Sequence, residues 1–169
     1  MNQGGFLTRH GLIAPIANVG LELGTTILPE HTVKLARTVG FVDLRINLGP
    51  LRIAVEAELN PNFRHLQNDL CKALALPAHL LLVAVLNWQT CRTGRKAMAR
   101  LLAQSRKQGL PADLEPVIFI LPVGPAIQQL RQLKDLVTRS LSDGSQNHKI
   151  MLANLKQALA DSRSERSKL

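Results

Sequence analysis

The sequence predicts an α/β fold in which a mixed central β-sheet is flanked by helices. Residues 41–59 alternate between apolar and polar with a period of two, and strand-like and helical segments alternate afterwards. Two apolar runs, residues 79–86 and 117–123, do not alternate, which is typical of strands buried on both faces. Helices between such strands imply parallel crossovers next to an antiparallel hairpin. The sheet should therefore be mixed and covered on both sides.

The N-terminal part of the chain has the weakest pattern. Residues 1–29 are rich in Gly and have no clean period, so we expect an irregular N-terminal arm, with room for one short strand or helix near residues 16–23. A short amphipathic helix is predicted over residues 30–39 because a proline precedes it and apolar residues recur at helical spacing. The folded α/β domain is expected to span residues 30–161. The charged, Ser-rich residues 162–169 are expected to form a disordered tail.

A β-hairpin is the clearest feature of the middle of the chain. Two alternating runs, residues 41–48 and 51–59, flank a Gly49-Pro50 turn. After the hairpin the pattern predicts, in order, a helix over 64–76, the buried strand 79–86, a basic helix over 93–108, the buried strand 117–123 and helices over 125–141 and 147–161.

The chain is strongly basic. Twenty-one Lys and Arg against twelve Asp and Glu give a net charge of +9 and a pI of about 10.4. Such a balance favours nucleic acid, with DNA as the expected form, although a basic surface without such a partner has the same charge. With four Phe, one Trp and no Tyr, the chain is unlike single-strand binders that stack successive bases on aromatic platforms. Contact through phosphates and duplex shape fits this composition better.

Other classes of protein fit the sequence poorly. Cys71 and Cys91 have neither close pairing nor zinc spacing, so two free thiols in a reducing compartment are expected. The longest apolar run, residues 80–86, is too short to span a bilayer. We therefore expect a cytoplasmic protein that does not bind membranes. Because the chain has no sequence-reading motif, targeting is expected from nucleic-acid structure, from a homodimer or from a protein partner.

The hairpin carries three acidic residues at informative positions. The Gly49-Pro50 turn sets Asp43 opposite Val55 or Glu56, and Glu56 and Glu58 share one face of their strand. Three carboxylates are therefore expected to lie close together, where each raises the pKa of its neighbours. A divalent cation relieves this repulsion, and oxygen-only ligands favour Mg²⁺ or Mn²⁺ over zinc. Such an ion activates water and neutralises charge on a phosphate.

The same spacing allows a second interpretation. If the hairpin lies at the surface, Glu56 and Glu58 are solvated, and Arg45 and Arg52 are their cross-strand ion partners. The sequence alone leaves both interpretations open.

The acidic hairpin resembles the PD-(D/E)XK nuclease superfamily. In that family an acid ends one strand of a hairpin, and the next strand carries a second acid and, two positions on, a polar or charged residue. The matching residues here are Val42-Asp43 and Glu56-Ala57-Glu58. A helix and an apolar strand then follow in the family's order, and the resemblance covers roughly residues 30–123. It implies a three-layer, restriction-endonuclease-like fold.

The resemblance also implies a set of metal ligands. Asp43 and Glu56 would ligate Mg²⁺ or Mn²⁺, and the Ala57 carbonyl is a further ligand candidate. Glu30, at the start of the predicted first helix, would be the additional acid that many members carry there. By this resemblance the domain would hydrolyse phosphodiester bonds with the help of the metal.

Two features of the chain depart from the family. Glu58 stands where the family most often has Lys, so Lys72 on the next helix is the candidate for that lysine. Glu58 and Lys72 complete the expected catalytic residues. Val42 replaces the family's Pro, and there is no room between residues 39 and 41 for the strand that normally precedes the Asp-bearing strand. Either residues 11–27 supply that strand or the core is trimmed.

The predicted basic helix is the candidate nucleic-acid-binding element. It carries Arg92, Arg95, Lys96 and Arg100, and positions 92, 96 and 100 lie on one face at i,i+4 spacing. Such a face suits a phosphate backbone, and a plain solvated helix face is the alternative.

Three hypotheses about function follow. The leading one is a metal-dependent nuclease-fold domain that hydrolyses phosphodiester bonds in DNA. The second is a non-catalytic nucleic-acid-binding or assembly module with the same fold. The third is an α/β domain without a nucleic-acid role, whose acidic hairpin is only surface.

Overall fold

The computed structural model describes residues 8–35 and 38–142, together with residues 153, 154 and 157. These residues form an α/β fold, as predicted, with a five-stranded mixed sheet between helices. The elements are, in chain order, α1 (Arg9–Glu22), β1 (Thr26–Lys34), β2 (Val39–Leu48), β3 (Leu51–Glu58), α2 (Phe63–Ala75), β4 (Leu80–Val85), α3 (Trp88–Lys107), β5 (Val117–Pro122) and α4 (Val123–Ser142).

The strands lie in the sheet in the order in which they occur in the chain. β1, β2 and β3 pair antiparallel, and β3, β4 and β5 pair parallel. The last residues of β3, β4 and β5 therefore meet at one edge of the sheet, which we call the carboxyl edge and which contains Glu58, Val85 and Pro122. β2 begins at this edge because it is antiparallel to β3. In open α/β sheets the carboxyl edge is where ligands bind.

Two hydrophobic cores lie on opposite faces of the sheet. α1 and α4 cover one face through side chains that include Leu12, Ile16, Leu130 and Leu133. On the other face, α2 and α3 pack through side chains that include Leu66, Leu70, Met98 and Leu101. Every residue of β4 is buried, which explains why its sequence does not alternate.

The helices that follow β3 and β4 start at the carboxyl edge, where those strands end, and an asparagine caps each helix. The Asn62 side chain accepts a hydrogen bond from the His65 backbone N–H at 3.0 Å, and Asn87 does the same for Thr90 at 3.0 Å. Such caps satisfy backbone donors that have no partner within the helix.

The predicted helix over residues 30–39 is wrong, because β1 occupies Thr26–Lys34 and pairs with β2 over nearly all its length. Its β-branched residues and its pairing with β2 outweigh the helical spacing of a few apolar side chains. β1 precedes the Asp-bearing β2, so a strand does occupy the position for which the sequence analysis found no room. It lies almost wholly outside residues 11–27.

The N-terminal arm is not irregular over residues 9–22, which form α1. Thr8 caps this helix, and Leu12, Ile16 and Val19 are buried on the sheet. Tertiary packing of this apolar face compensates for the glycines and for Pro15 inside the helix.

The predicted helix over 147–161 falls outside the described residues except at positions 153, 154 and 157, and the predicted tail 162–169 lies wholly outside them. Cys71 and Cys91 are free thiols, as predicted. Across the described ranges, no helix has the length and apolar character needed to cross a membrane.

Candidate metal centre

The acidic residues come together where the hairpin opens. The paired residues of β2 and β3 end at Leu44 and Val55, one position before Asp43 and Glu56. Beyond this pair, Asp43 Oδ2 accepts a hydrogen bond from the Ala57 backbone N–H at 2.9 Å. A side chain thus replaces the backbone acceptor, and this fixes the Asp43 carboxylate at the carboxyl edge.

The two glutamates of β3 are buried. Glu56 is 0% exposed and Glu58 is 6% exposed, so the interpretation that places them on a solvated surface is wrong. Arg45 is not their partner, since its side chain contacts Asn47 and His31. Burial of acids requires partners or a metal ion, because an isolated charge is costly to remove from water.

Arg9, from the first turn of α1, is the cation at the centre of the acids. Its Nη2 lies 3.0 Å from Asp43 Oδ2, 3.5 Å from Glu58 Oε1 and 3.6 Å from Glu56 Oε2. Its Nε donates a hydrogen bond to the Ala57 carbonyl at 2.8 Å. Three carboxylates and one carbonyl therefore surround a single positive group.

Lys72 supplies a second, buried cation from α2. Its Nζ forms ion pairs with Glu56 Oε2 at 2.6 Å and with Asp69 Oδ1 at 3.1 Å. Asp69 is itself buried and lies one helical turn before Lys72. Glu56 Oε1 and Asp69 Oδ2 accept no hydrogen bond within the described ranges. Among the described residues, the cluster therefore contains buried carboxyl oxygens without a hydrogen-bond donor.

Burial sets the protonation of this cluster. It raises the pKa of Glu56 to about 9, and neighbouring Asp69 adds to the rise while Lys72 opposes it. Burial also raises the pKa of Asp69 to about 6. For Lys72, burial lowers the pKa, but Glu56 and Asp69 together raise it above its usual value. Arg9 behaves in the same way, so both cations stay charged near neutral pH.

A groove of about 560 Å³ opens beside Glu58 and leads to the solvent. Its lining includes Arg9, Asn60, Arg64, His65 and Asn68. His65 Nδ1 lies 3.0 Å from Glu58 Oε2, so this histidine contacts the cluster.

The sequence predicted that Glu30 starts a helix, but this residue lies in β1 and has a left-handed φ of 46°. It is exposed and lines a second groove, about 760 Å³ in volume, that also reaches Arg9 and Asp43. Glu30 stands between the pairs Pro29–Leu44 and His31–Val42, across from Asp43 in the β1–β2 register. Its role as an additional acid stays a prediction.

The four basic residues of the predicted nucleic-acid-binding helix are exposed on α3. Arg95 lies over the Trp88 ring at 5.9 Å from its centroid. Within the described residues, none of the four forms an ion pair with the acidic cluster. They form a separate surface on α3, and this helix begins at the carboxyl edge.

Oxygen atoms of four groups surround the Arg9 guanidinium. Carboxylate oxygens of Asp43, Glu56 and Glu58 lie near its Nη2, the Ala57 carbonyl accepts from its Nε, and among the described residues Glu56 Oε1 has no hydrogen-bond donor. Mg²⁺ and Mn²⁺ prefer such oxygen ligands. The described His, Cys, Asp and Glu side chains form no group already spaced to hold a metal, and the guanidinium of Arg9 lies among them. A metal ion at this position therefore requires Arg9 to move.

The structure brings together Asp43, Glu56, Glu58 and Lys72, which the sequence had singled out, and adds Arg9, Asp69 and His65. Asp69 had a detectable signal, since it precedes Lys72 by one helical turn on the side that faces the sheet. Arg9 had none, because it lies 34 residues from Asp43 in the chain. Comparison of the chain with protein-family models, curated proteins and solved structures gave no match.

Proposed function

We propose that this chain is a divalent-metal-dependent nuclease-fold domain that hydrolyses phosphodiester bonds in nucleic acid, with DNA as the expected substrate. The observation that carries the proposal is the convergence of three carboxylates and the Ala57 carbonyl on one cation, Arg9. The order α1, β1, acidic hairpin, α2, β4 also supports it. This order includes the strand before the Asp-bearing strand that PD-(D/E)XK nucleases normally have.

In this proposal Asp43, Glu56 and the Ala57 carbonyl hold the metal ion. The bound ion would activate a water molecule and neutralise charge on the phosphate. Lys72 remains protonated between Glu56 and Asp69, so it contributes positive charge and orients Glu56 rather than removing a proton. Glu58 lies at the groove with one oxygen beside His65. It is therefore our candidate to accept a proton from water.

Arg9 has a second role in this proposal. Its guanidinium and a divalent ion need the same oxygens, so the two exclude each other. The Arg9 side chain is 51% exposed and lines the groove, which gives it room to leave the acids. Once released, its donors are free to bind phosphate oxygens, for which a guanidinium is well suited.

A non-catalytic nucleic-acid-binding module is the second candidate. The observation that favours it is that Arg9 and Lys72 already pair with the acids without a metal. In that case the acidic cluster stabilises the fold, and the basic surface alone contacts nucleic acid.

A cleavage and binding experiment separates the two. Labelled DNA is incubated with the wild-type chain and with Glu56→Gln in Mg²⁺, in Mn²⁺ and in EDTA, and affinity is measured in EDTA by fluorescence anisotropy. We expect metal-dependent cleavage that Glu56→Gln abolishes while affinity is retained. Glu115→Gln, which removes the partner of the exposed Arg106, is the matched control and should cleave normally. Binding without cleavage would support the second candidate, and neither binding nor cleavage would exclude both.

A further inference from the structure

Three aromatic side chains are exposed in a chain that has few of them. Phe41 is 56%, Trp88 is 52% and Phe63 is 36% exposed. Of the four aromatic residues that the structure describes, only Phe119 is buried. Aromatic rings normally supply much of a core's buried area, so their exposure here indicates a function outside the core.

All three rings lie near the starts of elements that begin at the carboxyl edge, where the candidate metal centre also lies. Phe41 is near the start of β2, two residues before Asp43. Phe63 opens α2, which follows β3 and Glu58, and Trp88 opens α3, which follows β4. β3 and β4 end side by side, so the starts of both helices flank the acids.

Arginines accompany these rings. Arg64 follows Phe63 and lines the groove next to Glu58. Arg95 stacks over Trp88, and Arg92 lies one helical turn beyond that ring. Exposed rings next to cations are typical of surfaces that hold single-stranded nucleic acid, where bases stack on aromatics and cations bind the phosphates.

The net charge favours nucleic acid over a protein partner. Arginine and aromatic residues are enriched at protein interfaces as well, so the rings and their arginines fit either kind of partner. The net charge of +9 decides between them, since it attracts a polyanion.

We propose that the carboxyl edge binds unpaired nucleotides. Bases stack on Trp88 and Phe63, and the phosphate chain crosses the groove between Arg9 and Arg64 to reach the metal centre. The inference rests on the proposed function and defines its substrate as a single strand, or the single-stranded part of a branched or frayed duplex. The scarcity of aromatics had favoured duplex shape, but that expectation did not foresee their concentration at one edge.

Trp88 is the only tryptophan of the chain and therefore reports on this surface directly. The full chain is titrated in EDTA with a single-stranded oligodeoxynucleotide and with the duplex of the same sequence. We expect the single strand to quench Trp88 fluorescence and to bind several-fold more tightly than the duplex.

Variants locate the binding surface by anisotropy of a labelled single strand. Trp88→Ala and Phe63→Ala should each weaken binding about tenfold, which is within the range for loss of one stacked base, and Trp88→Phe should retain most of the affinity. Leu114→Ala is the matched control, because Leu114 is exposed in the loop before β5, at the opposite edge. Its affinity should equal that of the wild type. Thermal unfolding confirms that each variant is folded.

Equal affinity for the duplex, no quenching of Trp88, or unchanged affinity of Trp88→Ala would overturn the inference. So would a change in mass of Trp88→Ala by light scattering with unaltered affinity for DNA, since the edge would then bind a second copy of the chain. Because binding is measured without metal, absence of cleavage would contradict the proposed function and not this inference. Metal-dependent cleavage with a preference for duplex would do the reverse.

Discussion

Arg9 is the residue at the centre of the acidic cluster. It places a positive charge among acids that otherwise repel one another, and it does so from an element distant in the chain. A guanidinium satisfies the same oxygens as a hard metal ion but cannot activate water. Under the proposed function a metal ion therefore has to compete with Arg9 for these oxygens.

Arg9→Met tests this competition. We expect the variant to bind Mn²⁺ several-fold more tightly than the wild type, measured by isothermal titration calorimetry, because the competing cation is gone and the acids remain. Without metal the variant should be less stable, and Mn²⁺ should raise its melting temperature more than that of the wild type.

Arg64→Met is the control, since Arg64 lines the groove but is not among the ion-pair partners of the acids in the described chain. Unchanged or weaker Mn²⁺ binding by Arg9→Met would show that Arg9 does not occupy the metal position.

Glu56 should make stability depend on pH in an unusual direction for an acid. Its pKa in the folded chain, about 9, lies above the ordinary value of 4.5, so the folded state binds the proton more tightly. The contribution of Glu56 to the free energy of unfolding is therefore fully present below pH 4.5 and is lost as the pH rises towards about 9. The slope from this group is at most about 1.4 kcal/mol per pH unit.

Urea unfolding followed by circular dichroism across this pH range measures the effect. Glu56→Gln should flatten the fall relative to the wild type because it removes the proton-binding group, whereas Glu115→Gln should not. Parallel curves for the wild type and Glu56→Gln would mean that burial does not raise this pKa.

At the scale of elements, the β2–β3 hairpin sets the register that aligns the acids. Its turn depends on Gly49, which has a φ of 55°, and a Cβ there would come within 2.8 Å of Val137 on α4. Gly24 has a similar φ of 67°, but nothing lies within 4 Å of the position that a Cβ would take there. Both glycines thus have a left-handed backbone, but only at Gly49 would an added Cβ meet another side chain.

Gly49→Ala should therefore destabilise the chain more than Gly24→Ala. The left-handed backbone costs each alanine about 1 kcal/mol, and the contact with Val137 adds at least about 1 kcal/mol at position 49. Urea unfolding of the two variants measures the difference. Equal losses would show that α4 yields to the added methyl group.

The elements also differ in how well their sequences predict them. The hairpin and β4 were predictable because local alternation and continuous apolar character reflect burial directly. α1 and β1 were not, because glycines and a proline hide an amphipathic helix and β1 is an edge strand, largely exposed, with few buried side chains. Their structure depends on partners elsewhere in the chain.

The same reason limits prediction of the site. Asp43, Glu56 and Glu58 lie within one hairpin, so strand periodicity suffices to bring them together. Arg9 meets them only through the packing of α1 on the sheet, and His65 only through the start of α2. No local pattern contains those contacts.

At the scale of the whole molecule, the excess positive charge should control affinity for nucleic acid. Replacing Arg92, Lys96 and Arg100 by Gln should weaken DNA binding and reduce the salt dependence of the affinity. Each lost phosphate contact lowers the slope of log K against log salt concentration by roughly 0.7 to 0.9. Anisotropy titrations over a range of salt concentrations measure the slope.

A matched variant removes the same charges from the helix layer on the opposite face of the sheet, at Arg131, Lys134 and Arg139 on α4. This control should change the slope less. Identical slopes for the two triple variants would mean that binding follows net charge and not the α3 surface.

The central claim is that the acids at the carboxyl edge bind a divalent ion. Its most direct test is an anomalous difference map from crystals of the chain soaked in Mn²⁺. We expect a peak bounded by Asp43, Glu56 and the Ala57 carbonyl, with the Arg9 side chain displaced towards the groove. No peak there, with Arg9 still in contact with all three carboxylates at saturating Mn²⁺, would contradict the claim.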